Sequence, residues 1–330
     1  MTMKSDLINY LLEADDFVSG QEIANKLNIS RNAVWKAINK ARKEGFEIEA
    51  VPNRGYRIVS TDDVFNEKTI TAELKTKWLG ADGNVVFIRE IDSTNEEAKR
   101  RSMAGAGNGL LIAADFQSAG KGRRGRTWQA SPGTTIAMSY LLKPDFVPDL
   151  APMMTLLMAM ATAKAIREVA GLEAEIKWPN DVIVGGKKLV GILTEMAIES
   201  DYIQYVVIGT GINVNVTDFP DDIKDKATSL LIETGKKVSR AKLVAAAAAA
   251  FEEYYEVFCN EGNLASLREE YNSLCVNVGR RVRVLDPKGE YEADAYGINE
   301  KGELRVRCDD GSEVLVYAGE VSVRGIYGYT

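Results

Sequence analysis

Apolar residues recur at helical and strand spacings that divide the chain into three parts. In the first sixty residues, a capping box over Ser19–Glu22 precedes Ile23 and Leu27, which lie four residues apart on one helical face. A second helix is predicted over Arg31–Glu44, and a hairpin with its turn at 52–55 follows it. With a further short helix predicted before the capping box, this order indicates a winged helix-turn-helix.

The helix predicted from Arg31 onward has one apolar face and one basic face. Its inward positions are Val34, Ala37, Ile38 and Ala41. From Arg31 to Lys43 it carries five cations and no acidic residue, a composition typical of a recognition helix in a DNA major groove. The predicted DNA contacts are Arg31, Asn32, Lys36, Asn39, Lys40 and Lys43 on this helix and Arg54 at the hairpin tip. The alternative interpretation is a small packing domain with a solvated charged face.

The middle of the chain mixes strands with helices. A polar stretch over 60–67 is interpreted as a linker, and a central domain follows from 70 to 272. Short apolar runs predict strands at 85–89, 109–114, 134–142, 174–178, 181–184, 188–195 and 202–209. Helices are predicted over 150–170 and 242–258, the second because its alanine run favours helix. Antiparallel strands with helices gathered nearby indicate an α+β fold.

The last part of the chain has a different pattern. From Val276 onward, short alternating segments are separated by turns at 286–289, 299–302 and 309–311. This spacing predicts a small barrel of about fifty residues. The predicted domains are therefore 1–62, 70–272 and 276–330.

Composition narrows the class of protein without changing this picture. Hydrophobic residues make up 45% of the chain and charged residues 27%, as in ordinary soluble proteins. We expect no membrane-spanning segment, because the longest apolar run, near 153–163, is short and interrupted by threonines. The first six residues lack the apolar region of a signal peptide, so we expect a cytoplasmic protein with no membrane partner.

The chain contains no histidine, which excludes several kinds of active site. Ser-His-Asp and Cys-His nucleophiles, HExxH zinc sites and imidazole acid–base catalysis are all ruled out. The cysteines at 259, 275 and 308 lie too far apart for a ligand spacing or a disulfide framework. The remaining lysine, arginine, carboxylate and amide groups suit reactions governed by positioning and charge stabilisation, such as phosphoryl or nucleotidyl transfer.

Charge is distributed unevenly between the first part of the chain and the rest. The net charge is −7, yet residues 1–60 carry nine Lys or Arg and eight Asp or Glu. The remaining chain therefore carries the whole acidic excess. This asymmetry favours separate partners for the two parts.

A loop rich in glycine and arginine follows the strand predicted at 109–114. Between Gly120 and Arg126 it contains three glycines and four cations. Glycines let backbone N–H groups approach an anion, and arginine suits phosphate and carboxylate. The spacing partly matches a dinucleotide fingerprint and a P-loop, but the turn residues at 127–133 leave no room for the helix that both require. A polyanion-binding loop is therefore predicted, with a solvated basic turn as the alternative.

Four further clusters combine polar residues with strand ends. Ser93-Thr94-Asn95 follows a strand and opens a helix, so its hydroxyls could bind a ligand or only cap the helix. The run over 177–181 places Lys, Trp, Asn and Asp at a corner that Pro179 makes rigid. Lys188 lies on an otherwise apolar strand, where the alternative is a lysine that only extends from a sheet edge. At 209–213, glycines let the backbone come close to a ligand.

In their order along the chain, these motifs resemble the biotin–protein ligases. The resemblance rests on Ser-Thr-Asn at 93–95, the basic loop at 120–126, Lys-Trp-Pro-Asn-Asp at 177–181, the motif at 188–195 and Gly-x-Gly-Ile-Asn at 209–213. With the N-terminal winged helix, the whole chain is similar to the bifunctional type that also represses the biotin operon. The chain departs from the family pattern at Lys121, where the loop often has arginine; this departure preserves the charge.

This resemblance implies a fold and a set of site residues. The central domain is expected to be a mixed or antiparallel sheet like that of class II synthetases, followed by a small SH3-like β-barrel. Lys188 and Arg123 are the implied catalytic residues. Biotin binding is implied for Ser93, Thr94, Asn95, Gln117, Gly120, Gly122, Arg123, Arg124, Gly125, Lys188 and Gly191. Nucleotide binding is implied for Arg124, Arg126, Trp128, Lys177, Asn180 and Asn213, and a candidate Mg²⁺ contact for Asp181.

The resemblance also implies a reaction and partners. Biotin and ATP, with Mg²⁺, would give biotinyl-5′-AMP, which would acylate a lysine of the biotin carboxyl carrier protein of acetyl-CoA carboxylase. A homodimer with bound adenylate would bind the biotin operator DNA. The alternatives are a ligase whose N-terminal domain does not bind DNA, and a lipoate-type acyl ligase.

Overall fold

The computed structural model describes residues 7–8, 10–11, 14, 16–43, 46–60, 63–128, 130–199, 202–286, 289–317 and 322–325. Its helices are α1 (Gly20–Leu27), α2 (Arg31–Lys43), α3 (Glu67–Glu73), α4 (Thr94–Met103), α5 (Met153–Ala170), α6 (Leu230–Thr234), α7 (Arg240–Glu261) and α8 (Arg268–Leu274). Within the predicted first helix, residues 7–8 and 10–11 are helical.

Strands form a hairpin near the N-terminus, a central sheet and a C-terminal sheet. The hairpin is β1 (Glu47–Val51) and β2 (Gly55–Ser60). The central sheet contains β3 (Val85–Ile91), β4 (Leu110–Gln117), β5 (Thr135–Leu142), β6 (Glu175–Lys177), β7 (Asp181–Val184), β8 (Lys187–Glu199) and β9 (Tyr202–Asn213). The C-terminal sheet contains β10 (Arg280–Asp286), β11 (Gly289–Ile298), β12 (Leu304–Arg307), β13 (Glu313–Val316) and β14 (Ser322–Gly325).

The N-terminal region has the predicted winged helix-turn-helix arrangement. Ser19 Oγ accepts a hydrogen bond from the Glu22 backbone N–H at 3.1 Å, which caps α1. The turn into α2 passes through Asn28 in the left-handed region, with φ of 53°. The predicted inward face of α2 is buried, and the guanidinium of Arg42 donates to the Ile48 carbonyl at 2.6 Å, so the helix end is fixed to the wing.

The prediction of a polar linker over 60–67 needs correction from residue 63 onward. Residues 61–62 lie outside the described part of the chain. Phe65 is 3% exposed and packs edge-on against Phe87, with 5.2 Å between ring centroids. The Asp63 carboxylate accepts hydrogen bonds from the Arg240 backbone N–H at 2.9 Å and side-chain Nε at 2.7 Å. The polar composition concealed this packing because the segment's few apolar residues point into the core.

The central sheet has the strand order β3-β4-β5-β9-β8-β7-β6. β3 and β4 pair in parallel, and the other neighbours are antiparallel. Residues alternate faces along β4, so Leu111 packs in the large core with α5 and α7, whereas Ile112 packs with Ala98 of α4 on the opposite face. The predicted α+β class is confirmed, and the polar N-terminus of α4 lies beside the ends of the central strands.

The segment Pro148–Ala170 contains the whole of α5. By length and composition alone, this segment could cross a membrane. The expectation that no segment reaches that length was therefore wrong. The helix is mostly buried inside the protein and packs against α7 and the sheet, as the core helix of a globular domain does. The apolar pattern extends beyond the run near 153–163 because small alanines continue the buried face.

The C-terminal sheet is antiparallel, in the order β13-β12-β11-β10-β14. In the described residues no ladder joins the edge strands β13 and β14 to each other. Trp178, which is 1% exposed, connects this sheet to the central one: its indole N–H donates to the Gly302 carbonyl at 3.1 Å, and its backbone N–H to Asn277 Oδ1 at 2.8 Å. This buried tryptophan therefore fixes the corner over 177–181 against the C-terminal region.

Candidate active site

A cleft of about 910 Å³ opens where α4, the basic loop and strands β7, β8 and β9 meet. Many of its lining residues belong to the motifs predicted from the sequence: Ser93, Thr94, Asn95, Gln117, Gly122, Arg123, Arg124, Arg126, Trp128, Lys177, Asn180, Asp181, Lys188, Gly191 and Asn213. Gly120 and Gly125 belong to the same loop but do not line the cleft. Motifs that lie up to 120 positions apart in sequence thus form one concave surface.

The basic loop forms a small hairpin. Lys121 and Thr127 make an isolated antiparallel bridge, and the Gly122 N–H donates to the Arg126 carbonyl at 2.7 Å. Gly120 lies where a Cβ would come 2.6 Å from the Trp128 carbonyl oxygen, so the close approach of the two arms requires glycine. Only a three-residue 3₁₀ turn occurs in the loop, which excludes the dinucleotide and P-loop interpretations.

The tip of this hairpin has an unusual backbone. Arg124 adopts φ of 58° and ψ of 38°, and Gly125 follows with φ of 71°. The left-handed region is uncommon for a residue with a Cβ, and such residues are concentrated at ligand-binding sites. The turn leaves the Arg124 and Arg126 side chains exposed at the cleft, where both are available to an anion.

Arg123 lies deeper than its neighbours in the loop. Its Nη1 donates to Asn180 Oδ1 at 3.0 Å, and the Asn180 Nδ2 donates to the Ile192 carbonyl at 3.1 Å. Burial lowers the pKa of Arg123; the Asp181 carboxylate opposes this shift, and the charges of Arg124 and Arg126 add to it. The guanidinium is therefore held at a fixed place by the corner over 177–181, and its nearby cations favour an anionic ligand.

Hydroxyl and amide groups make a connected floor beneath the cleft. The Thr94 backbone N–H and Oγ1 both donate to Gln117 Oε1, at 2.7 and 2.9 Å. Ser139, which is fully buried on β5, lies 2.8 Å from Thr94 Oγ1 and donates to Asn95 Oδ1 at 2.6 Å. Ser93 occupies the N-cap position of α4 without a side-chain capping bond, so the interpretation of a simple cap fails. Ser139 belongs to none of the predicted motifs, because it lies in an apolar strand.

Asn95 lies at the cleft, but its amide is engaged by the protein. Its Nδ2 donates to Glu195 Oε2 at 2.7 Å and to the Leu193 carbonyl at 3.3 Å. A Cβ at Gly209 would come 2.1 Å from Asn95 Oδ1, so the glycine makes room for this side chain. These bonds orient Asn95 at the start of α4, where it also lines the cleft.

Trp128 packs on two glycines of the central sheet. A Cβ at Gly211 would come 2.6 Å from its Cε2, and one at Gly191 would come 2.9 Å from its Cζ3. The indole Nε1 is buried with no hydrogen-bond acceptor among the described residues. The glycines thus permit a flat apolar wall in the cleft, and the indole N–H remains available as a donor.

Lys188 approaches this wall from β8. Its Nζ lies 2.6 Å from Asp181 Oδ1 and 5.7 Å from the centre of the Trp128 ring. At Lys188, β8 pairs with β7 on one side and makes a parallel bridge to Ala227 on the other, which rules out the interpretation of a lysine at a sheet edge. Lys177 is 6% exposed at the other side of the corner, and Asn213 Nδ2 donates to the Thr228 carbonyl at 3.1 Å.

A second loop also lines the cleft, and none of the sequence motifs includes it. Its lining residues are Val216, Asp218, Phe219, Pro220, Asp222, Ile223, Lys226 and Ala227. The Lys188 N–H donates to the Lys226 carbonyl at 2.7 Å, and the Thr228 N–H donates to the Lys188 carbonyl at 2.9 Å. This run of acidic and turn residues belongs to none of the sequence motifs; its pairing with β8 brings it to the site.

The predicted DNA-binding residues form a surface apart from the cleft. On α2, Arg31, Asn32, Lys36 and Lys40 are exposed and Asn39 is half-buried, while the Lys43 side chain lies outside the described residues. Trp35, which the sequence analysis did not select, is 58% exposed on the same helix. Arg54 donates to both carboxylate oxygens of Asp16 at 3.0 Å and lies 4.4 Å from the centre of the Phe17 ring.

Comparisons with known families agree with this arrangement. The profile of the Biotin/lipoate A/B protein ligase family matches residues 87–213, an HTH domain matches 4–57, and the Biotin protein ligase C terminal domain matches 278–324. The bifunctional ligase/repressor BirA of Bacillus subtilis is 37% identical over 325 residues, which covers 98% of this chain and 99% of that protein. The chain belongs to the family of bifunctional biotin protein ligases and repressors.

More distant relatives support the same assignment. The bifunctional ligase/repressor BirA of Escherichia coli is 29% identical over 95% of each chain. A biotin protein ligase from Aquifex aeolicus, solved in complex with biotin and ATP, has a TM-score of 0.65 and 28% identity, covering 73% of this chain and 99% of its own. This biotin protein ligase therefore combines a ligase fold with an N-terminal HTH domain and a C-terminal antiparallel sheet.

Proposed function

We propose that this biotin protein ligase activates biotin with ATP, transfers it to a carrier lysine, and represses biotin operon transcription as an adenylate-bound dimer. The observation that carries the ligation part is the convergence of Arg123, Lys188 and Lys177 on one cleft walled by Trp128. Two anions, a carboxylate and a triphosphate, must meet there. Fixed cations offset their repulsion without reorganising during the reaction.

The first step joins biotin to the nucleotide. A biotin carboxylate oxygen attacks the α-phosphorus of ATP, the bond to the β-phosphate oxygen breaks, and pyrophosphate leaves. Arg123 is suited to hold the carboxylate by charge-assisted hydrogen bonds, and Lys188 to stabilise the charge that develops on the phosphoryl oxygens. Lys188 is paired with Asp181 at 2.6 Å, and this ion pair orients the lysine toward the cleft.

The residues of the cleft divide into two groups around that reaction. Thr94, Gln117 and the backbone of the basic loop form the polar floor proposed for biotin, with Ser93 and Gly191 beside it. Arg124, Arg126, Trp128, Asn180 and Asn213 form the side proposed for the nucleotide. The second loop over 216–227 would cover the adenylate and limit its hydrolysis, because a mixed anhydride reacts readily with water.

Mg²⁺ fits the cleft only as an ion that arrives with the nucleotide. Among the described residues there is no group of three Asp, Glu, Cys or His side chains that could hold a metal. Asp181 offers one carboxylate at the cleft, and Mg²⁺ is commonly held by one or two carboxylates together with substrate phosphates. Bound in this way, the ion would neutralise phosphate charge.

The second step transfers biotin to the carrier. The uncharged amine of the carrier lysine attacks the acyl carbon, the bond to the AMP oxygen breaks, and the amine loses a proton. The substrate proposed is the biotin carboxyl carrier protein of acetyl-CoA carboxylase, in keeping with the ligase family. The carrier lysine would enter at the open side of the cleft, beside the exposed Arg124 and Arg126.

Repression is supported by the exposed basic face of α2. A single recognition helix reads only a few base pairs, so two copies on a palindromic operator would supply the specificity. The adenylate can strengthen DNA binding only by binding more tightly to the dimeric state than to the monomer.

One set of measurements tests both activities. Transfer of labelled biotin to a carrier domain, with ATP and Mg²⁺, should occur, and omission of ATP should abolish it. Sedimentation and gel-shift assays on the biotin operator, with and without biotin plus ATP, should show ligand-dependent dimers and tighter DNA binding. Transfer of lipoate in preference to biotin would contradict the substrate assignment, and a monomer that binds the operator equally well without ligand would contradict the repression mechanism.

A further inference from the structure

A chain of charged and amide groups runs from the basic loop to the central sheet. Lys121 Nζ donates to Glu96 Oε1 at 2.7 Å, and Lys99 Nζ donates to the same oxygen at 3.1 Å. Lys99 also donates to Glu195 Oε1 at 2.8 Å, and Glu195 Oε2 accepts from Asn95 Nδ2 at 2.7 Å. Lys121 is thereby connected to β8, the strand that carries Lys188 and Gly191.

Lys121 stands at the stem of the loop hairpin. It makes the bridge to Thr127, and its next residue, Gly122, donates to the Arg126 carbonyl at 2.7 Å. A side chain fixed at this stem fixes the direction in which the arginines of the tip point. The Lys121 side chain is 54% exposed, so no burial in a core holds it; the carboxylate of Glu96 does.

Glu96 lies in the first turn of α4, two residues after Thr94. Hydrogen bonds from Lys121, and then from Lys99, hold the pKa of Glu96 below its ordinary value, so the carboxylate remains charged at neutral pH. The Glu96 and Glu195 side chains are 30% and 29% exposed, and Lys99 between them is 19% exposed. The pairs that Lys99 makes with Glu96 and Glu195 are thus better shielded from solvent than the Lys121–Glu96 pair. Lys121–Glu96 is therefore the contact that opens most readily.

Building on the proposed function, we propose that Glu96 is a positioning residue: through Lys121 it holds the basic loop closed over the acyl-adenylate and sets how long the adenylate stays bound. Closure keeps Arg123 and Trp128 against the ligand. Opening of the Lys121–Glu96 pair frees the stem, and the loop can then swing away from the cleft.

The test compares adenylate release with adenylate formation in the full-length protein. The enzyme, preloaded with biotin, ATP and Mg²⁺, is freed of excess ligand, and the loss of biotinyl-adenylate is followed after a chase. Formation is measured by single-turnover pyrophosphate release. For Lys121→Met, the ratio of release to formation rates should rise about two- to fivefold, the range of a partly exposed ion pair.

Further variants separate a positioning role from a general structural one. Glu96→Gln should also raise the ratio of release to formation rates. The double variant should raise this ratio no further than the more affected single variant does, because both substitutions remove the same contact. Lys121→Arg should restore retention. The matched control is Arg101→Met, which removes an ion pair to Glu97 at 2.8 Å on the same helix without touching the loop, and should leave the ratio unchanged.

Three results would overturn the assignments, and they distinguish the proposed function from the positioning role. If the unmodified protein forms no adenylate, the proposed function fails and this inference with it. If adenylate forms but Lys121→Met retains it as long as the unmodified protein does, or if the Lys121 and Glu96 effects add fully in the double variant, the positioning role of Glu96 is refuted while the ligase function stands.

Discussion

The ligand cleft and the face of α2 both concentrate basic residues, but they hold them differently. In the cleft, Arg123 donates to Asn180 and Lys188 pairs with Asp181, on strands fixed by the sheet. On α2, Lys36 and Lys40 extend into solvent from a helix whose opposite face makes the core. A site that stabilises charge during a reaction needs cations that are already oriented, whereas DNA binding gains from displacing counterions and tolerates mobile side chains.

This difference also appears in how each region uses glycine and the backbone. The cleft requires close approaches, such as Trp128 against Gly191 and Gly211, and a left-handed arginine at position 124. α2 has regular helical geometry. Substitutions of one atom or one charge should therefore have large effects in the cleft and graded effects on α2.

The largest effect is expected for Lys188→Ala. Removing one oriented charge at the transition state typically lowers the rate by about 10²–10³. We expect adenylate formation to fall by that factor while the protein remains folded, as measured by single-turnover pyrophosphate release and thermal unfolding. The matched control is Lys187→Ala, one position earlier on β8, which should stay near the unmodified rate. Near-normal pyrophosphate release by Lys188→Ala would show that Lys188 is not catalytic.

A smaller effect is expected for Gly211→Ala. Its Cβ would lie 2.6 Å from Trp128 Cε2, so the indole must shift. Overpacking of this kind destabilises a packed structure by about 1–3 kcal/mol. Because the indole must shift out of its place in the cleft, we expect the nucleotide affinity, measured by calorimetry, to fall by about tenfold or more. Gly107→Ala is the control, because nothing lies within 4 Å of its added Cβ. Equal affinities in both variants would show that Trp128 does not form the nucleotide wall.

On α2 the expected changes are graded. If Lys36 and Lys40 each contact a phosphate, each alanine substitution should weaken operator binding about eightfold at 0.1 M salt and reduce the slope of log K against log salt by about 0.9. Adenylate formation should not change. Lys75→Ala, an exposed lysine of α3's C-terminal flank, is the control. An unaltered salt slope in the α2 variants would contradict phosphate contact.

The smallest effect concerns an exposed ion pair beside the cleft. Hydrogen bonds from Arg100 lower the pKa of Asp92 to about 2. Because the folded pKa lies below the unfolded one, the pair contributes stability above about pH 4, and this contribution is lost as the pH falls through about 2. NMR titration should find the low pKa, and Arg100→Met should return it toward its ordinary value. The pair is exposed, so the change in unfolding free energy should be well under about 1 kcal/mol.

The sequence by itself determined the local elements and the residue types of the site. Capping residues and apolar spacing predicted α1 and α2, and the absence of histidine together with the glycine–arginine loop indicated charge-stabilised chemistry. These signals are local: each depends on residues within a few positions of one another. The motif residues could therefore be selected one cluster at a time.

Only the tertiary structure decided which of those side chains line the cleft and which hydrogen bonds hold them in place. Asn95 was selected as a biotin contact, yet its amide bonds to Leu193 and Glu195; Ser139 and the loop over 216–227 were not selected at all. Phe65 was hidden in a polar segment and packs in the core. The reason is physical: the partner of a hydrogen bond or an apolar contact is set by strand order and register, which join residues a hundred positions apart and leave no mark in local composition.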